Sequence, residues 1–255
     1  MKITDIKAEK VRIELTVPFR VAFAEINYSE NLLLKVSTDE GIDGYGEAAP
    51  MPFVTGETID SVISVINMIR PGLIGMDPMD IEKIHELMDT CIYGNSSAKC
   101  AVDLAMYDLM GKFMGQPVYK LLGGYSNRVQ NDITIGISTP ELMAEKARQH
   151  VLKNGCADIL NIKLMKCGGL FRASQINSIA EAFGVTCMVG CMMETKPATT
   201  AGVSLVSAKK NITETDCDSF LFYADEQTGM TGGFTRDNDI FTLLDAPGFG
   251  LDLSF

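Results

Sequence analysis

The chain has 255 residues, 46% hydrophobic and 22% charged, and its 33 acidic against 22 basic side chains give a formal net charge of −11. Such a composition can bury a core in one large or two modest domains and excludes a disordered or fibrous chain. The acidic balance disfavours nucleic acid and anionic membrane surfaces as partners, so the expected partner is a small molecule.

No apolar run approaches the roughly 18 residues of a membrane span. Met1-Lys2-Ile3-Thr4-Asp5 opens an alternating strand and not a secretory leader, so a cytoplasmic location is expected. The cysteines at 91, 100, 156, 167, 187, 191 and 217 form no C-x-x-C pair and fit a reduced compartment. Cys187 and Cys191 read as buried thiols in preference to a zinc pair. His85 and His150 fall in amphipathic helical stretches, where surface or packing roles are expected.

In chain order, Ile3 to Leu15 alternates as a strand. Asn31 to Val36 then pairs with Ile42 to Glu47 across the turn Thr38-Asp39-Glu40-Gly41, in which glycine takes the positive-φ position. Helical periodicity follows near 58–70, 78–91 and 96–115. The last of these carries Ala98, Ala101, Val102, Ala105 and Leu109 along one face and Gly115 as its stop. A small sheet followed by helices predicts an α+β unit over residues 1–128.

From Asn131 the rhythm becomes strand, helix, strand, helix, as in a parallel barrel. Ile133 to Ile137 reads as a strand, and Thr139-Pro140-Glu141 starts a helix ending near Asn154. A second strand spans Ile159 to Leu164, and its helix shows Ala173, Ile176, Ile179, Ala180 and Phe183 at helical spacing. Val185 to Cys191 is a third strand, followed by a helix over 198–208 and a short fourth strand over 212–216. The expected divisions are therefore 1–128, 129–239 and a closing segment 240–255.

Three stretches carry chemistry. Asp158-Ile159-Leu160-Asn161-Ile162-Lys163-Leu164-Met165-Lys166-Cys167-Gly168-Gly169 places a lysine late in an apolar strand before a glycine pair. Gly190-Cys191-Met192-Met193-Glu194-Thr195-Lys196 ends the next strand. Asp216-Cys217-Asp218 sets two carboxylates two residues apart, hence on one face. That pair can hold a cation, cap a loop or sit as plain solvated charge.

Together these stretches resemble the enolase superfamily, and within it the dipeptide epimerases of the Ala-Glu epimerase type. The resemblance runs along nearly the whole chain. It implies an α/β fold with an α+β cap: an enolase-like N-terminal cap on a TIM-type (β/α) barrel. It also implies Mg²⁺-dependent epimerisation of a dipeptide, an isomerase reaction in which two lysines on opposite faces exchange the α-proton while the metal stabilises an enediolate. Lys163 matches the second of these lysines, and Lys166 matches the motif without an acid-base role. Asp216 and Asp218 match the pair that binds the dipeptide ammonium group. Glu194, Phe19 and Val54 fall where the family lines its pocket, the last two in cap segments 17–24 and 49–56. Ala24 stands where some relatives have an arginine, which leaves Arg20 as the cation there and points to apolar or mixed dipeptides.

The family's Lys-x-Lys strand and three carboxylate metal ligands have no counterpart, because Gly155 passes straight to Cys156-Ala157-Asp158. At about 30 residues per strand-helix unit, four missing units amount to roughly 120 residues. The expectations are a truncated barrel of about four units, no metal ligands in this chain, and a chain that alone is inactive. A four-stranded sheet also leaves open edges and an apolar inner face without its opposite wall, so a homo-oligomer is expected. The competing readings are a silent dipeptide-binding or assembly protein and an incomplete version of an active epimerase.

Overall fold

The computed structural model describes residues 1–21, 24–130, 159–182, 184–223 and 229–253. Three antiparallel strands come first: β1 (Ile3–Val21), β2 (Ala24–Thr38) and β3 (Asp43–Ala48), in the order β1-β2-β3. Gly41 supplies the positive φ of the turn into β3, 72°, and its N–H donates to the Thr38 carbonyl. Of segment 17–24, residues 17–21 lie in β1 and Ala24 begins β2, and Phe19 pairs with Ile26 after a register shift from Glu14. Pro18, which has no N–H for a ladder, lies within that shift. Phe23 lies outside the described residues.

Four helices follow: α1 (Ile59–Leu73), α2 (Ile81–Cys91), α3 (Ser96–Met114) and the short α4 (Val118–Leu122). Thr58 and Ser61 form a reciprocal capping box that starts α1. The apolar face read from the sequence, Ala98 to Leu109, is fully buried against β2 and α1, with Leu32, Leu34, Ile66 and Ile69 in the same core. The other side of α3 gives Cys100 and Leu104 to a second core built from Ile162, Leu170, Val189 and Leu205. One helix therefore serves both layers.

After β4 (Arg128–Gln130), the expected strand at 133–137, the helix at 139–154 and His150 lie outside the described residues. The chain resumes as β5 (Ile159–Lys163), the single-turn α5 (Leu164–Cys167), α6 (Leu170–Ala182), β6 (Thr186–Gly190), α7 (Lys196–Ala208) and β7 (Ile212–Asp216). β5, β6 and β7 are parallel neighbours in that order, each β-α-β crossover supplying a covering helix. Ile162, Cys187, Val189 and Thr215 are buried on the helix-covered face.

The opposite face corrects one expectation. It carries Asn161, Lys163, Thr186, Gly190, Glu214 and Asp216 beside Ile159 and Met188, so it is largely polar and not an apolar wall. A barrel interior that opens towards a site tolerates water where a sandwich core does not. Leaving this face uncovered costs far less than the ~25 cal/mol per Å² of an apolar one.

Four short strands complete the chain: β8 (Met230–Gly232), β9 (Phe234–Asp237), β10 (Ile240–Leu243) and β11 (Leu251–Leu253). β10 lies between β4 and β9, and β11 pairs with β8. The closing segment returns to the cap. Gly248 exchanges backbone hydrogen bonds with Gln116 and Val118, and the Phe249 N–H donates to Asp108 Oδ1 at 2.7 Å. Among the described residues no helix is long and apolar enough to cross a membrane.

Candidate functional site

The parallel register sets the site. Lys163 pairs with Gly190 and Gly190 with Asp216, so three adjacent strands end at one level with the lysine and the carboxylate two strands apart. Gly190 is small for a reason of space. A Cβ there would meet Asn161 Oδ1 at 2.7 Å and Lys163 Nζ at 3.1 Å, so any side chain would displace the amine that crosses β6. Lys163 Nζ donates a short hydrogen bond to the Cys191 carbonyl, which fixes its direction.

The turn after β5 depends on Gly168 and Gly169, with φ of 90° and 108°. The first ends α5 in the left-handed region, and the second admits the Asp103 carboxylate, whose Oδ2 would lie 2.3 Å from any Cβ. Asp103 then accepts the Leu170 N–H at 2.6 Å, binding α3 to the first turn of α6. His85, expected on the surface or in packing, is buried, with Nε2 2.7 Å from Asp103 Oδ1. Two distant helices thereby hold the loop that follows Lys163.

A cavity of about 210 Å³ lies over the strand ends, lined by Phe19, Val54, Lys163, Lys166, Asp216 and Asp218 with apolar neighbours. The Phe19 ring packs 5.2 Å from that of Phe222. A larger hollow of about 460 Å³ adjoins it between β2 and segment 50–60, but no lysine reaches that hollow. Of the six residues singled out from the sequence, five line the smaller cavity. Glu194 does not.

Glu194 is buried beside the cavity, and its carboxylate accepts the Met192 N–H. Burial first, and then the neighbouring Glu47 carboxylate, push its pKa up from 4.5 to about 8, so it carries a proton at neutral pH. The sign of the linkage follows. A carboxyl raised in the folded state stabilises the fold fully below pH 4.5, and that contribution is lost as pH climbs towards about 8. Glu194→Gln should flatten a stability slope of a few kcal/mol across this window. Urea unfolding at several pH values measures it, and an unchanged slope would refute the assignment.

Sequence reasoning missed Glu47. It is fully buried at the end of β3, accepting the Thr195 N–H at 2.6 Å, the Ala198 N–H at 3.0 Å and the Asn31 amide at 2.7 Å. It therefore caps α7 from another layer. Asn31 and Ser29 also donate to the Met193 carbonyl, as does Tyr223 Oη at 2.6 Å. The strap from Cys191 to Thr195 is thus pinned by the cap. The available signal was a glutamate between Gly46 and Ala48 at the end of β3.

Among the described residues one group brings potential metal ligands together: Cys191, Asp216 and Asp218, with ligand atoms within 4.8 Å of one another. Cys191 Sγ lies 3.5 Å from Asp218 Oδ1, and burial holds its thiol well above its usual pKa. Mg²⁺ requires hard oxygen donors in octahedral geometry. A protonated thiol and two carboxylates beside a lysine do not fit it.

Comparison with known proteins places this geometry. The family model "Mandelate racemase / muconate lactonizing enzyme, N-terminal domain" matches residues 3–123, and "Enolase C-terminal domain-like" matches residues 96–254. Both include the whole of α3, the helix shared by the two cores. The "Hydrophobic dipeptide epimerase" of Enterococcus faecalis is 30% identical, with 98% of this chain and 99% of that protein covered. The "L-Ala-D/L-Glu epimerase" of Bacillus subtilis is 27% identical, with 98% and 97% covered. The crystal structure of the Enterococcus faecalis dipeptide epimerase complexed with Mg and L-Leu-L-Tyr superposes with a TM-score of 0.92 at 30% identity, covering 99% of this chain and 100% of that one. A substrate-liganded complex of the Bacillus subtilis enzyme also gives 0.92, at 26% identity, covering 100% of both chains. The first sequence match runs over 354 residues against a chain of 255, so the shortfall is a gap inside the alignment, as the missing barrel units require. With an enolase-like cap, a shortened barrel domain and dipeptide epimerases as its relatives, this chain belongs to the mandelate racemase and muconate lactonizing enzyme branch of the enolase superfamily.

Proposed function

We propose that the chain is a dipeptide-epimerase-like protein that binds a dipeptide over the strand ends and whose proton-transfer chemistry is impaired. The observation that carries this reading is the level row of Lys163, Gly190 and Asp216 opening into one cavity. Asp216 and Asp218 take the ammonium group, and Phe19 and Val54 face the substrate side chain. Lys163 is the acid-base residue on one face. A proton taken by a single lysine returns to the face it left, so configuration at the α-carbon is retained. In its relatives Mg²⁺ supplies the charge that stabilises an enediolate. The described residues do not fit that ion, and no step here is assigned to it. Glu194, protonated and buried, supports the strap and has no direct substrate contact.

Incubating L-Ala-L-Leu with the protein and following the α-protons by NMR tests the reading. The expected outcome is saturable binding with no D-epimer above the blank, and epimer accumulating at a protein-dependent rate would overturn the impaired chemistry. Asp218→Asn should weaken binding by about 1.5–3 kcal/mol, the range of a charge-assisted hydrogen bond. Equal affinity for the dipeptide and its N-acetyl derivative would rule out ammonium recognition.

The chain is also expected to self-associate. β5 is an edge of the described parallel sheet, and Leu160, Ile179 and Val185 nearby are 40%, 62% and 37% exposed. Sedimentation equilibrium should show a dimer or larger species at micromolar concentration, and a stable monomer would contradict it.

A further inference from the structure

We infer that Lys166 holds the C-terminal carboxylate of the bound dipeptide, taking the place of a metal ion as its cationic partner; the inference rests on the dipeptide reading above. The cavity has two charged ends. Asp216 and Asp218 lie at the end of β7, while Lys163 and Lys166 lie at the end of β5 and on α5 directly after it. Neighbouring strands stand about 4.8 Å apart, so the two ends are separated by roughly 10 Å. An extended dipeptide spans about 7 Å, and a charge-assisted hydrogen bond adds about 2.8 Å at each end. That total of about 13 Å exceeds the backbone gap, and the flexible side chain of Lys166, three residues past the end of β5, takes up the difference, so a zwitterion of two residues matches the cavity in sign at both ends.

Of the two lysines, Lys163 is already committed, because its amine donates to the Cys191 carbonyl across Gly190. Lys166 is exposed on the single turn of α5, lines the same cavity, and makes no hydrogen bond or ion pair among the described residues. The carboxylate needs such a partner. An anion set beside Phe19, Val54 and Met192 without a countercharge would give up part of its hydration uncompensated. The acidic group across the cavity cannot supply that countercharge. The glycine pair that ends α5, pinned through Asp103, holds this turn over the strand ends instead of letting it run on as helix.

The test uses the full chain with L-Ala-L-Leu, its C-terminal amide and its N-acetyl derivative, titrated by NMR. The unmodified protein should bind the free acid about tenfold more tightly than the amide. Lys166→Gln should weaken the free acid about tenfold and leave the amide unchanged, abolishing the preference, while Lys166→Arg retains it. Lys166 is exposed, so neither variant threatens the fold. If Lys166→Gln still prefers the acid, or if Lys163→Gln removes the preference in its place, the assignment to Lys166 is overturned and the dipeptide reading stands. If the unmodified protein binds none of the three compounds, the dipeptide reading falls and this inference with it.

Discussion

Glu47→Ala is expected to destabilise the protein by about 3–5 kcal/mol, although the residue belongs to the cap and not to the barrel. Its carboxylate accepts three N–H groups, from Thr195, Ala198 and Asn31, inside a region closed to water. Truncation leaves the Thr195 and Ala198 N–H groups buried without partners, at about 1–3 kcal/mol for each group that no water can reach, while the Asn31 amide keeps the Met193 carbonyl. It also strips the first turn of α7 of its anion, at a further few tenths to one kcal/mol. Glu47→Gln keeps the shape and part of the bonding, so its cost should be smaller, about 1–2 kcal/mol. Urea unfolding at pH 7 measures both. A loss below about 1 kcal/mol for the alanine variant would mean that water replaces the carboxylate and that the layers are not joined here. The same variant should also loosen the Cys191–Thr195 strap, because the Met193 carbonyl shares Asn31 with Glu47. Broadened amide signals for Met192 to Thr195 would report that loosening.

Gly46→Ala should be comparably severe for a different reason. A Cβ at this position would lie 1.9 Å from the Ala101 carbonyl oxygen and 3.0 Å from the Ala105 nitrogen, both backbone atoms of α3. No side-chain rotation relieves that overlap, so β3 or α3 must move within a fully buried interface. Overpacking of this kind costs about 3 kcal/mol or more where backbone must yield. Gly41 is the control. It has nothing within 4 Å of its notional Cβ but takes a φ of 72°, so Gly41→Ala meets only conformational strain of about 1 kcal/mol. Thermal unfolding of the two variants side by side should separate them by several degrees. Equal shifts would show that α3 has slack against β3.

The sequence alone was sufficient wherever the information is local. The alternation of Ile3 to Leu15, the glycine turn at 41, the helical periods of α1 to α3 and the strand-helix rhythm after residue 159 are all set by neighbours a few positions apart. The polypeptide can express such periods before it has folded. The motif around Lys163 and the same-face pair Asp216 and Asp218 were legible for the same reason, and so was the gap between the first barrel helix and Asp158. Tertiary structure decided what became of the buried carboxylates. Nothing in their local sequence assigns partners to Glu47, Asp103 and Asp108, yet each is fully buried, taking N–H groups 148, 67 and 141 residues away in the chain. Such partners leave no periodic trace. Nor does a residue's own identity show which side of a cavity wall it will occupy. Glu194 and Lys166 are both charged residues just past a strand end, but the fold buries one behind the strap and turns the other into the cavity. The polarity of the inner sheet face was hidden in the same way. Strand alternation sets Ile159, Asn161 and Lys163 on one side of β5 and Leu160 and Ile162 on the other, but which side the helices cover is decided only when the crossovers pack.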